Sequence, residues 1–226
     1  MRLLLFITTC LCLSLVYGDK NGVFQPCADT LVQRKDGFTL GFAFASFDSF
    51  FINKTLALSP CDQRLSLHTK NSHLALFRPT LDQISLLTIN TTSDPIQGGN
   101  MVAFAGSNYA AISSPQFVFD EKLIITSFTL VLHFDKGRLQ NLLWKNYGCK
   151  PCKVGTPYVC YNEETCAMDI KKCKSHRGNN DCIIGIQIAF SGTDKHSSML
   201  NSWYEVNKMH QYSLFGLYPD LKYNTI

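Results

Sequence analysis

The sequence predicts an all-β domain, an antiparallel β-sandwich with a closed barrel as the alternative, and three observations carry that prediction. Hydrophobicity alternates with a period of two along Phe38, Leu40, Phe42 and Phe44, along Thr126, Phe128, Leu130, Leu132 and Phe134, and along Ile184, Ile186, Ile188 and Phe190. Strands with one buried face require that period. Asn, Asp, Gly, Ser and Pro recur between the apolar runs at spacings suited to antiparallel connections. Between Phe38 and Phe134 no amphipathic helix of about 10 to 15 residues separates the strands, which disfavours a parallel α/β fold.

The first element is a leader. Arg2 precedes an unbroken apolar run from Leu3 to Val16, and the small-residue exit Val16-Tyr17-Gly18 follows, so residues 1–18 read as a secretory signal peptide cleaved before Asp19. A membrane anchor is the competing reading, but the run falls short of the roughly 20 residues needed to cross a bilayer. Later apolar stretches are interrupted by Asp, Lys, Arg or Gly, so no membrane span is expected after cleavage.

Residues 19–226 then form a single β-rich domain, long enough to bury roughly 70% of its unfolded surface. Cleavage removes only Arg2 from the charges, leaving 20 basic residues against 17 acidic and a net charge of +3. That balance lacks the basic excess of a nucleic-acid binder. Charged residues make up 17% of the chain, below the roughly 25% of an ordinary globular protein. Glycan cover at the sequons Asn53-Lys54-Thr55 and Asn90-Thr91-Thr92 would supply solubility in a secreted chain.

After the strand from Phe38 to Phe44, shorter strands are expected over Arg64 to His68, Leu74 to Phe77, Ile84 to Ile89 and Met101 to Ala105. Residues 145–182 form a cysteine-rich insertion between the strand-like Gly137 to Trp144 and the strand Ile183 to Phe190. Within it, Asn162 caps an expected helix with Glu163 and Glu164 in its first turn and Lys171 and Lys172 in its last. Cys166, Ile170 and Cys173 then share one face. A second helix over Ser198 to Met209 would align Met199, Trp203 and Val206, while Trp203-Tyr204-Glu205-Val206 suits a strand equally well.

Cys10 and Cys12 leave with the leader, and the eight remaining cysteines form an even set in an oxidising compartment. Six of them, Cys149, Cys152, Cys160, Cys166, Cys173 and Cys182, are spaced C-x2-C-x7-C-x5-C-x6-C-x8-C. The economical expectation pairs Cys27 with Cys61, a crosslink contributing roughly 3 to 4 kcal/mol by loop entropy, and folds the six into three local bridges of unreadable connectivity. The insertion is poor in Leu and Phe, so bridges stand in for its missing core. Cys149-Lys150-Pro151-Cys152 also admits a thiol oxidoreductase or a zinc site. Zinc would want a second pair at similar spacing, and none is present.

Reaction chemistry is sparse, and neither a catalytic residue nor a cofactor is assigned. No G-x-S-x-G, H-E-x-x-H, P-loop or dinucleotide fingerprint occurs. Ser, Asp and His gather only at Ser191-Gly192-Thr193-Asp194-Lys195-His196, the candidate site for a cell-wall hydrolase. Sequence neighbours rarely converge on one reacting atom, so a turn held by its own hydrogen bonds is the preferred account. His133, opposite the core face of its strand, reads as a solvated side chain. Aromatics suggest a sugar platform, with Trp144, Trp203 and Tyr204 the candidate ligand-binding residues. Tyr147, Tyr158 and Tyr161 flank the insertion, and Tyr212, Tyr218 and Tyr223 lie beyond Tyr204. Lys171, Lys172, Lys174 and Arg177 form a basic run, read as a solvated helix end with an acidic polysaccharide as the alternative partner.

The segments Asn21-Gly22-Val23-Phe24-Gln25-Pro26-Cys27-Ala28-Asp29-Thr30, Leu58-Ser59-Pro60-Cys61-Asp62, Ile84-Ser85-Leu86-Leu87-Thr88-Ile89-Asn90 and Gly137-Arg138-Leu139-Gln140-Asn141-Leu142 bear on family, as do Ser191-Gly192-Thr193-Asp194-Lys195-His196 and Asn201-Ser202-Trp203-Tyr204-Glu205-Val206. Together they resemble a plant family of short secreted proteins of uncharacterised function. The resemblance implies an apoplast or cell-wall setting and brings no activity or site residue with it. The expectation is therefore a secreted, N-glycosylated, non-catalytic binding or structural module. Its expected partner is a cell-wall polysaccharide or another extracellular protein.

Overall fold

The computed structural model describes residue 22 and residues 24–65, 67, 72–90, 99–108, 111–149, 152, 158–176 and 179–211. The leader at 1–18, the sequon residues Thr91 and Thr92, Lys150, Pro151 and the aromatics Tyr212, Tyr218 and Tyr223 lie outside the described residues.

After β1 (Leu40–Ala45) the chain makes a 3-10 turn (Phe47–Phe50) and a small hairpin of β2 (Phe51–Ile52) and β3 (Leu56–Ala57). Then come β4 (His73–Phe77), β5 (Ser85–Asn90) and β6 (Asn100–Ala105), followed by three short strands, β7 (Ala111–Ile112), β8 (Gln116–Phe117) and β9 (Leu123–Ile124). The long β10 (Ser127–Asp135) turns directly into β11 (Arg138–Trp144). The insertion contains β12 (Tyr158–Tyr161), β13 (Thr165–Asp169), a 3-10 turn (Ile170–Lys172), β14 (Lys174–His176) and β15 (Asn179–Asp181). β16 (Ile183–Thr193), β17 (Met199–Leu200) and the helix α1 (Ser202–Gln211) are the last described elements.

Two five-stranded sheets face each other. The first has the order β4-β1-β6-β7 with β8 also on β6, and the second the order β11-β10-β16-β17 with β5 also on β16. Phe42, Phe44, Met101 and Ala103 of the first meet Leu130, Leu132, Phe134, Ile186, Ile188 and Phe190 of the second in one core. Each fully buried Leu, Ile, Phe or Met side chain here contributes about 1.5–3 kcal/mol of transfer free energy. Neither sheet closes on itself among the described residues, so the sandwich expectation stands over the barrel.

One pairing departs from the antiparallel rule. β10 and β16 run parallel, from Ser127 opposite Gly185 to Phe134 opposite Gly192. β11 doubles back beside β10 through a tight turn in which Lys136 and Gly137 have φ 47° and 77°, the left-handed pair such turns need. The insertion then carries the chain back, so that β16 enters on the other side of β10 in the same direction.

The Ala face of β1 is not solvated. Ala43, Ala45, Val102 and Phe104 lie under a second cluster made by Phe50, Leu58, Leu65 and Leu67. The strand expected at Arg64 to His68 is absent over its described residues, which form a turn and coil whose Leu65 and Leu67 plug this cluster. Cys27 and Cys61 bridge here with a Cα separation of 5.4 Å.

The helix expected from Asn162 to Lys172 is likewise not formed. Asn162 and Glu163 adopt φ 48° and 61°, closing the turn between β12 and β13, and only Ile170–Lys172 is helical, as one 3-10 turn. Bridges to Cys160 and Cys166 hold these residues extended, overriding weak helix propensity. Over Ser198 to Met209 the helix reading holds from Ser202 onward, behind a short strand at Met199–Leu200, and Trp203-Tyr204-Glu205-Val206, which suit a strand equally well by sequence, are helical in α1 because Val206 turns a buried face toward the sheet.

Candidate functional site

The other three bridges pair Cys149 with Cys160, Cys152 with Cys166, and Cys173 with Cys182. Cys149 and Cys152 are thus not joined to each other, although the Cys152 N–H donates to the Cys149 carbonyl at 2.9 Å and holds the two close together.

The loop Ser191 to His196 gathers no reacting triad. Asp194 is buried, and its carboxylate accepts the backbone N–H groups of Arg34 at 3.0 Å, His196 at 2.8 Å and Ser198 at 2.9 Å. Burial alone would raise its pKa, but these donors outweigh burial and hold it below the ordinary value. Ser191 instead meets His133 across the parallel pair, Oγ to Nδ1 at 3.0 Å. His133 is half-buried and hydrogen-bonded rather than freely solvated. No sequence signal exposed this contact, because it depends on the β10–β16 register.

Trp144 points inward. Its ring packs near Phe42 and Phe128, with centroids 6.3 and 5.8 Å away, and its Nε1–H donates to Ser113 Oγ at 2.9 Å and the Ser114 carbonyl at 3.0 Å. Trp203, half-buried in the first turn of α1, lies instead beside Lys145 on the other side of the second sheet. The two indoles therefore do not share a surface.

The outer face of the second sheet carries a row of polar and apolar side chains. Alternation places Leu86 of β5, Gln187 of β16 and Thr129 of β10 side by side in register, pointing away from the core. Lys145 extends the row, its N–H bonded to the Thr129 carbonyl at 2.9 Å and its Nζ 5.3 Å from the centre of the Trp203 ring. Thr129 Oγ1 donates to Gln187 Oε1 at 3.4 Å. Burial raises the pKa of the Tyr147 phenol, whose oxygen is enclosed by the protein. Leu86 is 69% exposed and Tyr204 55% exposed.

α1 fixes Trp203 in place. Ser202 is buried, and its Oγ accepts the Phe190 N–H at 2.8 Å in the gap that β5 and β17 leave along the edge of β16. Asp82 accepts the N–H groups of Asn201 at 2.6 Å and Ser202 at 3.0 Å, capping the helix, and pairs with Arg34 at 2.7 Å. Val206 of α1 is buried, as are the outward-pointing Val131 and Ala189 of the second sheet.

Asn53, Lys54 and Thr55 form the exposed tip of the β2–β3 hairpin, open to a glycosylating enzyme. Asn90 ends β5, opposite Ile183. Among the described residues, no group of His, Cys, Asp or Glu is placed to hold a metal ion. No helix there is long and apolar enough to cross a membrane.

Residues 114–223, which include most of the second sheet, the insertion and α1, are similar to a family whose model is described as Uncharacterised protein DDB_G0273449. No curated protein and no solved structure matches the chain.

Proposed function

We propose that the protein is an extracellular, N-glycosylated, non-catalytic binding module that takes carbohydrate on the outer face of its second sheet. The observation that carries this reading is the row from Leu86 through Gln187 and Thr129 to Lys145, with the Trp203 ring at its end. An indole beside an amide and an ammonium offers a sugar both an apolar face and hydrogen bonds. Four disulfides support export through an oxidising compartment, as does the leader-like start of the sequence. A plant cell-wall setting draws on the resemblance of the sequence segments alone.

The test is a polysaccharide and glycan array probed with the purified protein and with Trp203→Ala. Losing one stacking ring, worth about 1–1.5 kcal/mol, should weaken binding about tenfold. The array signal should fall while Trp144→Phe, altered in the core, keeps it. Flat signal across all glycans would sink the proposal. A hydrolase is the second reading, favoured by the Ser191–His133 contact. Covalent capture of Ser191 by a fluorophosphonate, abolished in His133→Ala, would support it over simple binding.

A further inference from the structure

We propose that the two bridges Cys149–Cys160 and Cys152–Cys166 form an exchangeable couple that can re-pair as Cys149–Cys152 and Cys160–Cys166. The inference is independent of the carbohydrate reading. Cys160 and Cys166 are directly opposite each other on the antiparallel strands β12 and β13. Residues so paired have Cα atoms about 4.5–5.5 Å apart, inside the window of about 4.4–6.8 Å that a disulfide spans. Their side chains share one face of the hairpin, since residues directly opposite on an antiparallel pair point the same way. Cys149 and Cys152 are tied by the 2.9 Å hydrogen bond from the Cys152 N–H to the Cys149 carbonyl, and residues three apart so bonded lie less than about 7 Å from each other. Each alternative pair is therefore already within bridging distance without moving either strand.

The change is an isomerisation that consumes no oxidant, and it needs only a thiolate to start it. A glutathione thiolate attacks Sγ of Cys160, breaking its bond to Cys149 and leaving a mixed disulfide on Cys160 and a thiolate on Cys149. The Cys149 thiolate attacks Sγ of Cys152, forming Cys149–Cys152 and releasing the Cys166 thiolate. That thiolate attacks Sγ of Cys160, forms Cys160–Cys166 and expels the glutathione thiolate. Two bridges remain, but their meaning differs. In the observed pairing they clamp Cys149 and Cys152 to the β12–β13 hairpin. In the alternative each closes within its own segment, and the clamp is gone. The molecule thus holds a thiol-triggered tether release at constant oxidation state.

Peptide mapping reads the two states directly. Trypsin cuts after Lys145, Lys153 and Lys171 but spares Lys150 before Pro151, so one peptide carries Cys149 and Cys152 and another carries Cys160 and Cys166. The full-length oxidised protein is incubated with a glutathione redox buffer, its thiols are trapped with N-ethylmaleimide at acid pH, and it is digested without reduction. The expected result is that the joined peptide pair of the starting material gives way in part to two separate, internally bridged peptides. Cys27–Cys61 and Cys173–Cys182 should keep their partners. As a second arm, Cys160→Ser/Cys166→Ser should yield the Cys149–Cys152 bridge in the secreted protein, and Cys149→Ser/Cys152→Ser the Cys160–Cys166 bridge. A peptide pair that stays joined throughout, together with free alkylatable thiols in both double variants, would overturn the proposal.

Discussion

Replacing Asp194 by Asn tests whether the one cluster of Ser, Asp and His in the sequence is architecture. Oδ1 of Asp194 accepts from His196 at 2.8 Å and Ser198 at 2.9 Å, while Oδ2 accepts from Arg34 at 3.0 Å. Asn keeps the shape but has one acceptor oxygen. Its best orientation leaves that oxygen on His196 and Ser198 and turns the NH₂ toward the Arg34 N–H, so a donor faces a donor. A hydrogen bond to a charged group contributes about 1.5–3 kcal/mol. Some of that loss is offset because the variant buries no charge, which leaves a net cost of about 2 kcal/mol. For a domain of this size the melting temperature should drop by about 4–8 °C at pH 7, measured by circular dichroism. The pH dependence has a definite sign. A carboxylate whose folded pKa is lowered stabilises the fold above its unfolded value of about 3.9 and ceases to do so as pH falls through the folded one. The gap between wild type and variant should therefore be full at pH 7 and narrow below about pH 4. Equal melting at pH 7, or a gap that widens on acidification, would refute the reasoning.

Ser202→Ala removes the acceptor for the buried Phe190 N–H and should cost about 1–2 kcal/mol despite the better helix propensity of Ala, read as a lower melting temperature. Cys27→Ser/Cys61→Ser opens a loop of sequence separation 34 and should destabilise by about 4 kcal/mol in urea titration, with the second hydrophobic cluster losing protection in hydrogen exchange. Gly41→Ala places a Cβ inside the Phe104 ring, so it should cost about 1–3 kcal/mol in the same titration.

Periodicity alone revealed much of the sandwich. The inward rows of β1, β10 and β16 alternate cleanly because each has a core face and a differing outer face. Phe104 and Val102 showed where that logic stops: β6 is buried on both sides, and nothing in a two-residue period announces the extra layer of Phe50, Leu58 and Leu65. Asn162 misled because its neighbours carry helix-terminal charges, while the bridges that hold them extended act across space. The outer row was half visible. Trp203 and Tyr204 stood out by residue type, but Gln187 and Lys145 join Trp203 only through strand register and the path of α1. Trp144 looked equivalent to Trp203 in sequence, and the inward turn of its ring follows from pairing with Leu130.

The parallel pairing of β10 with β16 joins residues 58 positions apart and makes β16 the shared neighbour of β5, β10 and β17. During synthesis, therefore, β5 and β10 emerge long before the strand that unites them, and they wait with apolar flanks uncovered. Assembly of that half of the molecule becomes a late, nearly all-or-none event. A truncation anywhere ahead of residue 193 should then yield a sticky fragment prone to retention by the cell's quality control.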